Sequence, residues 1–374
     1  MGVTTAVLFL LLLGSLSVSS QADRPKQKPH LIITLRRILL SIVLGVISGL
    51  SAALIFLCTL RFFIIYINRT PLRSGPVIFS LKTSPAALLS AVENDAVLLR
   101  SKYHKVSLDS YLTLAVKKLR PLEQHMNRSL QRELGTLAAL SHPNLMKLNA
   151  FISTPDSLSI VYDYMPNGSL EEAIVKVREN RLHLGWDTRL QIAIGIIKCL
   201  RYLHFECAPR ILHYNLKPTN VLLDSDFHPR LGDCGFSMFE RDVSPYTAPE
   251  YIHSKRYLLC VKRRIQCVFK AYFRYNEKSE VYSFGMVLAM LVTGRDPSEA
   301  AFREGGGLGN WVRQMQMDGG GREAIDRRIF SGEEDEVEEM LMALRIAVVC
   351  VSELPADRPC SDELVPMLTL LHTS

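Results

Sequence analysis

The sequence predicts an α+β domain carried behind a single membrane-spanning helix, and three observations point to it. Ile38 to Leu60 contains no charged residue and, at 1.5 Å per residue, is long enough to cross a bilayer as a helix. The run Thr113-Leu114-Ala115-Val116-Lys117-Lys118-Leu119 alternates as a half-buried strand does. Later in the chain, Leu190, Ile194, Ile197 and Leu200 recur at helical spacing, and Trp311, Met340, Leu341, Leu344, Ile346 and Val349 read as core.

A chain of 374 residues with 48% hydrophobic content has room for one large domain or two small ones beside the membrane element. The net charge of +7 is concentrated around the hydrophobic span, where a membrane accounts for it. No basic stripe with interleaved aromatics occurs, so no nucleic-acid partner is expected. The eight cysteines are scattered, which argues against a disulfide framework and for a reducing compartment. Cys260 and Cys267 stand too far apart for a C-x-x-C metal knuckle.

Residues 1–20 read as a signal peptide. The apolar run Ala6 to Val18 is too short to span a bilayer and ends in small residues, although an uncleaved anchor remains the alternative because no positive charge precedes it. Residues 21–37 form a short extracellular segment too small to fold, so unaided ligand recognition is not expected. The transmembrane helix is placed at 38–60. Within it Ser41, Gly45, Gly49 and Ala53 share one face, where two helices can approach closely; small residues are also simply frequent in membrane helices. Residues 61–86, with Arg61, Arg69, Arg73 and Lys82 and no acidic group before Val92, read as a basic cytoplasmic juxtamembrane segment against membrane lipid. The expected topology puts the N-terminus outside and the main domain inside, at the plasma membrane after transit through the endoplasmic reticulum. The sequons at Asn68, Asn127 and Asn167 then never meet the glycosylation machinery.

The residues that carry chemistry lie around His213-Tyr214-Asn215-Leu216-Lys217-Pro218-Thr219-Asn220 and Asp233-Cys234-Gly235. They keep the spacing of H-R-D-L-K-x-x-N followed by D-F-G. With Lys117, the helix-patterned Ser129 to Leu134 containing Glu133, the hinge-like Ile160 to Leu170, and Ala248-Pro249-Glu250 with Arg358, this stretch resembles the plant receptor-like kinases from about Ala87 to Leu371. The resemblance implies a bilobal protein-kinase-like fold over 87–374, with a small β-rich N-lobe and a large helical C-lobe. It also implies that Lys117 pairs with Glu133, that Asn220 and Asp233 hold Mg, that Ala115 and Leu222 sandwich an adenine, and that Glu250 pairs with Arg358.

Several departures strike at that chemistry. Asn215 stands where the family's proton-accepting aspartate belongs, and an amide offers no basic carboxylate. Tyr214 replaces the arginine that gathers an activation-loop phosphate. No glycine occurs between Gly75 and Gly135, so Leu98 to Val106 lacks the backbone that donates amides to phosphates. Cys234 replaces a packing phenylalanine, and Glu280 replaces an aspartate, which is expected to loosen the bonds supporting the catalytic loop. The expectation is a pseudokinase retaining at most weak Mg–ATP binding. The alternatives are a weak serine/threonine kinase and a nucleotide-binding switch without phosphotransfer. Residues 258–275 interrupt the family pattern as an insertion or a translated intron remnant. For an inactive member of this family, the resemblance implies a hetero-oligomer with a leucine-rich-repeat receptor-like protein that lacks a kinase domain, and with other receptor kinases, in peptide-hormone signalling at meristems.

Overall fold

A computed structural model describes residues 29–69, 75–94, 97–98, 103–109, 112–119, 134–154, 158–235, 243–252, 275–299, 302, 307–329 and 334–371. The chain divides into two units, residues 1–70 and 71–374. In the first, helix α1 runs Pro29–Arg69, longer at both ends than the expected 38–60. Proline suits the first helical turn because its missing N–H has no partner there in any case. The stretch Ile33–Phe63 is long and apolar enough to cross a membrane. Its hydroxyls are satisfied inside the helix, Ser41 donating to the Arg37 carbonyl at 2.9 Å and Ser51 to that of Ile47 at 2.8 Å. The expected signal peptide and the segment before Pro29 lie outside the described residues, as do Glu133, Leu99 to Lys102 and most of the insertion.

In the second unit a six-stranded antiparallel sheet comes first. Its strands are β1 (Gly75–Ile78), β2 (Val97–Leu98), β3 (Tyr103–Asp109), β4 (Leu112–Leu119), β5 (Leu148–Ser153) and β6 (Leu158–Asp163), in the spatial order β1-β5-β6-β4-β3-β2. Strand β1 pairs with β5 along its whole length, and helix α2 (Pro85–Asn94) packs Leu88 and Val92 into the core beside Val106, Leu114 and Val116. The folded body therefore begins before residue 87, inside the segment expected to be juxtamembrane. Side chains alternate across β3 and β4. Val106, Leu114 and Val116 share one cluster, whereas Tyr103 and Ala115 belong to a second with Tyr162, Met165 and Leu222.

The larger lobe is helical. Helix α3 (Leu170–Arg178) starts on Ser169, whose hydroxyl accepts from the Glu172 N–H. Helix α4 (Trp186–Arg201) buries Leu190, Ile194, Ile197 and Leu200 as the spacing predicted and runs on into a π-helical turn, Tyr202–Glu206. A hairpin of β7 (Val221–Leu223) and β8 (Pro229–Leu231) carries the chain to Asp233. Helix α5 (Glu277–Thr293) is enclosed along nearly its whole length; Asn276 and Ser279 form a reciprocal capping box at its start, and Gly294, at φ +62°, ends it in the left-handed conformation. Helices α6 (Gly307–Met317), α7 (Gly321–Ala324), α8 (Glu334–Cys350) and α9 (Ser361–Leu371) complete the lobe. Three core expectations are corrected. Val349 falls on the outer face of α8 and is exposed, while Met340, Leu344 and Ile346 are buried. Leu341 and Trp311 are half-buried and pack against the core from its edge, the Trp311 ring 4.7 Å from the Arg295 guanidinium and 5.7 Å from Phe302.

The described cysteines are all free thiols. Arg358 and Glu250 meet as expected, through two parallel bonds of 2.8 and 3.0 Å. Burial pushes the Glu250 carboxyl up, but the Arg358 and Ser279 bonds outweigh it and hold the group below its ordinary value. The stabilisation is thus complete above the ordinary carboxylate range and is lost as pH falls through the lowered folded value. Arg358→Met is expected to destabilise the body by ~3–5 kcal/mol, since it strands a partly buried charge. The thermal midpoint of the detergent-solubilised chain reads this, and an unchanged midpoint would contradict the pairing.

Candidate functional site

The site lies where β3 and β4 face the β7–β8 hairpin and the turn at Asp233. Cross-strand register places Tyr103 directly opposite Lys117 and Lys105 opposite Ala115, so Tyr103 and Lys105 share the face of the sheet that carries Lys117. Lys117 is 7% exposed and Asp233 is 1% exposed. The Lys117 ammonium pairs with Oδ2 of Asp233, and the Tyr103 hydroxyl donates to Oδ1 at 3.1 Å. Burial and the neighbouring Asp233 carboxylate push the Tyr103 hydroxyl well above its ordinary value, so it remains a donor. Both oxygens of the expected metal-binding carboxylate are therefore engaged from within the protein. Glu133, the expected partner of Lys117, lies outside the described residues.

Asn220 is buried beside this pair. Its amide donates to the Asn215 carbonyl at 2.8 Å, and its own carbonyl accepts from the Gly232 N–H at 2.8 Å. The Asn215 N–H donates to Nδ1 of His213 at 3.3 Å, which burial keeps on the neutral side by pushing the imidazole down. Ala115 and Leu222, the expected adenine-contacting residues, fall in one buried cluster that also contains Tyr103, Tyr162 and Met165. The Tyr103 and Tyr162 rings meet edge-on with centroids 6.3 Å apart. In this arrangement the residues present do not fit Mg–ATP: the Tyr103 ring fills the same buried cluster as the adenine-contacting positions, and the carboxylate and ammonium that would hold metal and phosphate hold each other.

Cys234 is buried, and burial pushes its thiol well up. The helical stretch 134–138 reaches the same turn: a Cβ built on Gly235, at φ +76°, would lie 3.1 Å from Leu137 Cδ1. Leu137 thus occupies space beside the place where the family keeps a phenylalanine.

The support beneath the loop is stronger than the sequence predicts. Glu280 is fully buried; its Oε1 accepts from the Tyr214 N–H at 2.5 Å and from the Tyr275 hydroxyl at 3.5 Å. Its Oε2 lies 2.7 Å from Nε2 of His204, whose Nδ1 is 3.0 Å from the Ser361 hydroxyl. The expected loosening is corrected: a glutamate at this position reaches the loop backbone and two further partners. Tyr214 sits at φ +66°, a region costly for a residue with a side chain, and the Glu280 bond holds it there. Its ring lies 5.1 Å from that of Tyr275, which meets Tyr251 edge-on at 5.6 Å. Sequence reasoning assigned no role to Tyr103 or Tyr275. A bulky aromatic cross-strand from the phosphate-binding lysine was the available signal for the first.

Residues 102–341 match the family model of the protein kinase domain, and the chain belongs to the protein kinase family. Within it the relatives are receptor-like kinases. The chain is 48% identical over 329 residues to the inactive leucine-rich repeat receptor-like protein kinase CORYNE of Arabidopsis thaliana, covering 82% of this chain and 77% of that one. It is 34% identical to the receptor protein-tyrosine kinase CEPR1 of the same plant over 71% of this chain, which spans only 27% of that relative. A solved pseudokinase domain, that of BIR2, an immune regulator of the RLK/Pelle family, superposes with a TM-score of 0.63 at 29% identity, covering 80% of this chain and 90% of that one.

A double-mutant cycle on Tyr214→Leu and Tyr275→Leu is expected to give a coupling of about 0.5–1.5 kcal/mol, the usual worth of a packed aromatic pair beyond its buried area. Additive losses of stability would show that the rings do not act together.

Proposed function

We propose that this chain is a catalytically impaired receptor-like kinase that serves as a transmembrane signalling adaptor. In this reading it crosses the plasma membrane once, with its N-terminus outside and its kinase-like body in the cytoplasm. It joins a leucine-rich-repeat receptor-like protein that lacks a kinase domain, and other receptor kinases, in CLAVATA-type peptide-hormone signalling at meristems. One observation carries the proposal: the side chain at the proton-accepting position is the amide of Asn215. Without a carboxylate there, an acid–base contribution of about 10²- to 10⁴-fold is lost. The 48% identity to a relative named as inactive supports the same reading.

Association is assigned to the α1 face bearing Ser41, Gly45, Gly49 and Ala53. Among the described residues nothing lies within 4 Å of a Cβ built on either glycine, and small side chains of this kind let a partner helix pack closely. A second reading, a weak serine/threonine kinase, is favoured by the retention of Lys117, Asn220 and Asp233.

Two measurements separate these readings. The full-length chain given radiolabelled ATP and Mg²⁺ is expected to transfer no more phosphate than its Lys117→Glu variant, and transfer that disappears in that variant would establish the enzyme instead. Asn215→Asp is expected to leave signalling unchanged, whereas Gly45→Leu with Gly49→Leu abolishes co-purification of the receptor-like protein. A complex that survives the double glycine substitution would refute the assigned face.

A further inference from the structure

We propose that Tyr103 stands in the place of a nucleotide, as a plug built into β3 that keeps Mg–ATP from the cleft until the ring is displaced. The inference rests on the non-catalytic reading above and deepens it by naming what fills the site. Register decides the direction of the side chain: opposite Lys117, Tyr103 points where that lysine points. It is 1% exposed and lies in one buried cluster with Ala115 of β4, Leu222 of β7 and Tyr162 of β6, whose ring meets its own edge-on. Its hydroxyl reaches Asp233 at 3.1 Å, and Gly232 makes room for it: a Cβ at that glycine would stand 2.8 Å from the Tyr103 oxygen.

The same strand makes a second contact with the segment after β6. Two residues on, Lys105 holds its ammonium 4.8 Å from the centre of the Tyr164 ring, a cation–π contact between the sheet and the connecting segment. A nucleotide entering this space has to break the Tyr103–Asp233 bond, separate Lys117 from Asp233 and move an aromatic ring out of a buried cluster. A ligand that binds only a minor conformer has its apparent affinity reduced by the population of that conformer. The plug therefore weakens nucleotide binding without removing Lys117, Asn220 or Asp233.

The test uses the full-length chain in nanodiscs, with Mg–ATP titrated and binding read both by equilibrium dialysis and by thermal shift. Tyr103→Val is expected to bind Mg–ATP about tenfold tighter or more than the wild-type chain, as removal of a closed state requires. Tyr103→Phe, which keeps the ring and loses only the hydroxyl, is expected to bind less tightly than Tyr103→Val. Adding Asp233→Asn to Tyr103→Val is expected to abolish the Mg²⁺ dependence of the gain. Wild-type affinity equal to that of Tyr103→Val would overturn the plug. So would folded Tyr103→Val and Tyr103→Ala chains that both bind no better than wild type, because the block would then lie in the missing glycines. The adaptor reading falls on a different result, phosphate transfer by the wild-type chain, so the two fail separately.

Discussion

A carboxylate taken out of water has to be answered by partners inside the protein, and Asp233 is the group on which this structure turns. In a working kinase the equivalent carboxylate faces a metal ion. Here the Lys117 ammonium and the Tyr103 hydroxyl take its two oxygens, and the small lobe is thereby joined to the turn after β8. The same constraint governs two other acids, Glu280, which is buried, and Glu250, which is partly buried. Glu280 ties α5 to the loop at Tyr214 and to His204, and Glu250 ties the residues after Tyr246 to Arg358 near the last helix. Asn215 is under no such constraint. As a half-exposed neutral amide, it takes part in the loop through its backbone N–H and carbonyl, so the proton acceptor can be lost while the charges that hold the lobes together stay balanced.

Periodicity made much of this fold legible. Both the strand of Thr113 to Leu119 and the helix of Leu190 to Leu200 occur where they were expected, but the strand is not half-buried: Leu114 to Lys117 are all buried, because both faces of β4 are covered, and α4 is likewise enclosed on most sides. The pairing of β1 with β5 was not legible, because a four-residue strand containing Pro76 has too few positions to show an alternation. Val349 misled because α8 is buried along one face only, and an apolar residue can also stand on the outer one. Arg189 shows the converse. A fully buried arginine in α4, it is matched by the Leu184 and Leu291 carbonyls and by Asp326 at 3.0 Å, partners that converge only after folding.

The site was legible in its losses and opaque in its replacements. Missing glycines, an amide for a carboxylate and a tyrosine for an arginine can all be read as departures from a pattern. What fills the vacated roles depends on register and on distance. Tyr103 acquires its direction only when β3 is paired with β4, and a one-residue slip would have turned it to the opposite face. Glu280 reads as a misfit for an aspartate until its longer side chain is seen to meet a backbone N–H, an imidazole and a phenol at once.

The replacements share a physical character. An arginine at the position of Tyr214 would need an anionic partner to order the segment around it, and that partner would come and go with phosphorylation. A cluster of the Tyr214, Tyr275 and Tyr251 rings needs none, being held by ring contacts and by an acceptor, Glu280, that is always present. Burial together with the nearby carboxylate pushes the Tyr275 hydroxyl well above its ordinary value, as it does that of Tyr103, so both stay protonated donors throughout the physiological range. In the adaptor reading, contacts of this kind order the loop without calling on a nucleotide or a phosphate, and the information the body carries lies in which partners are assembled around it.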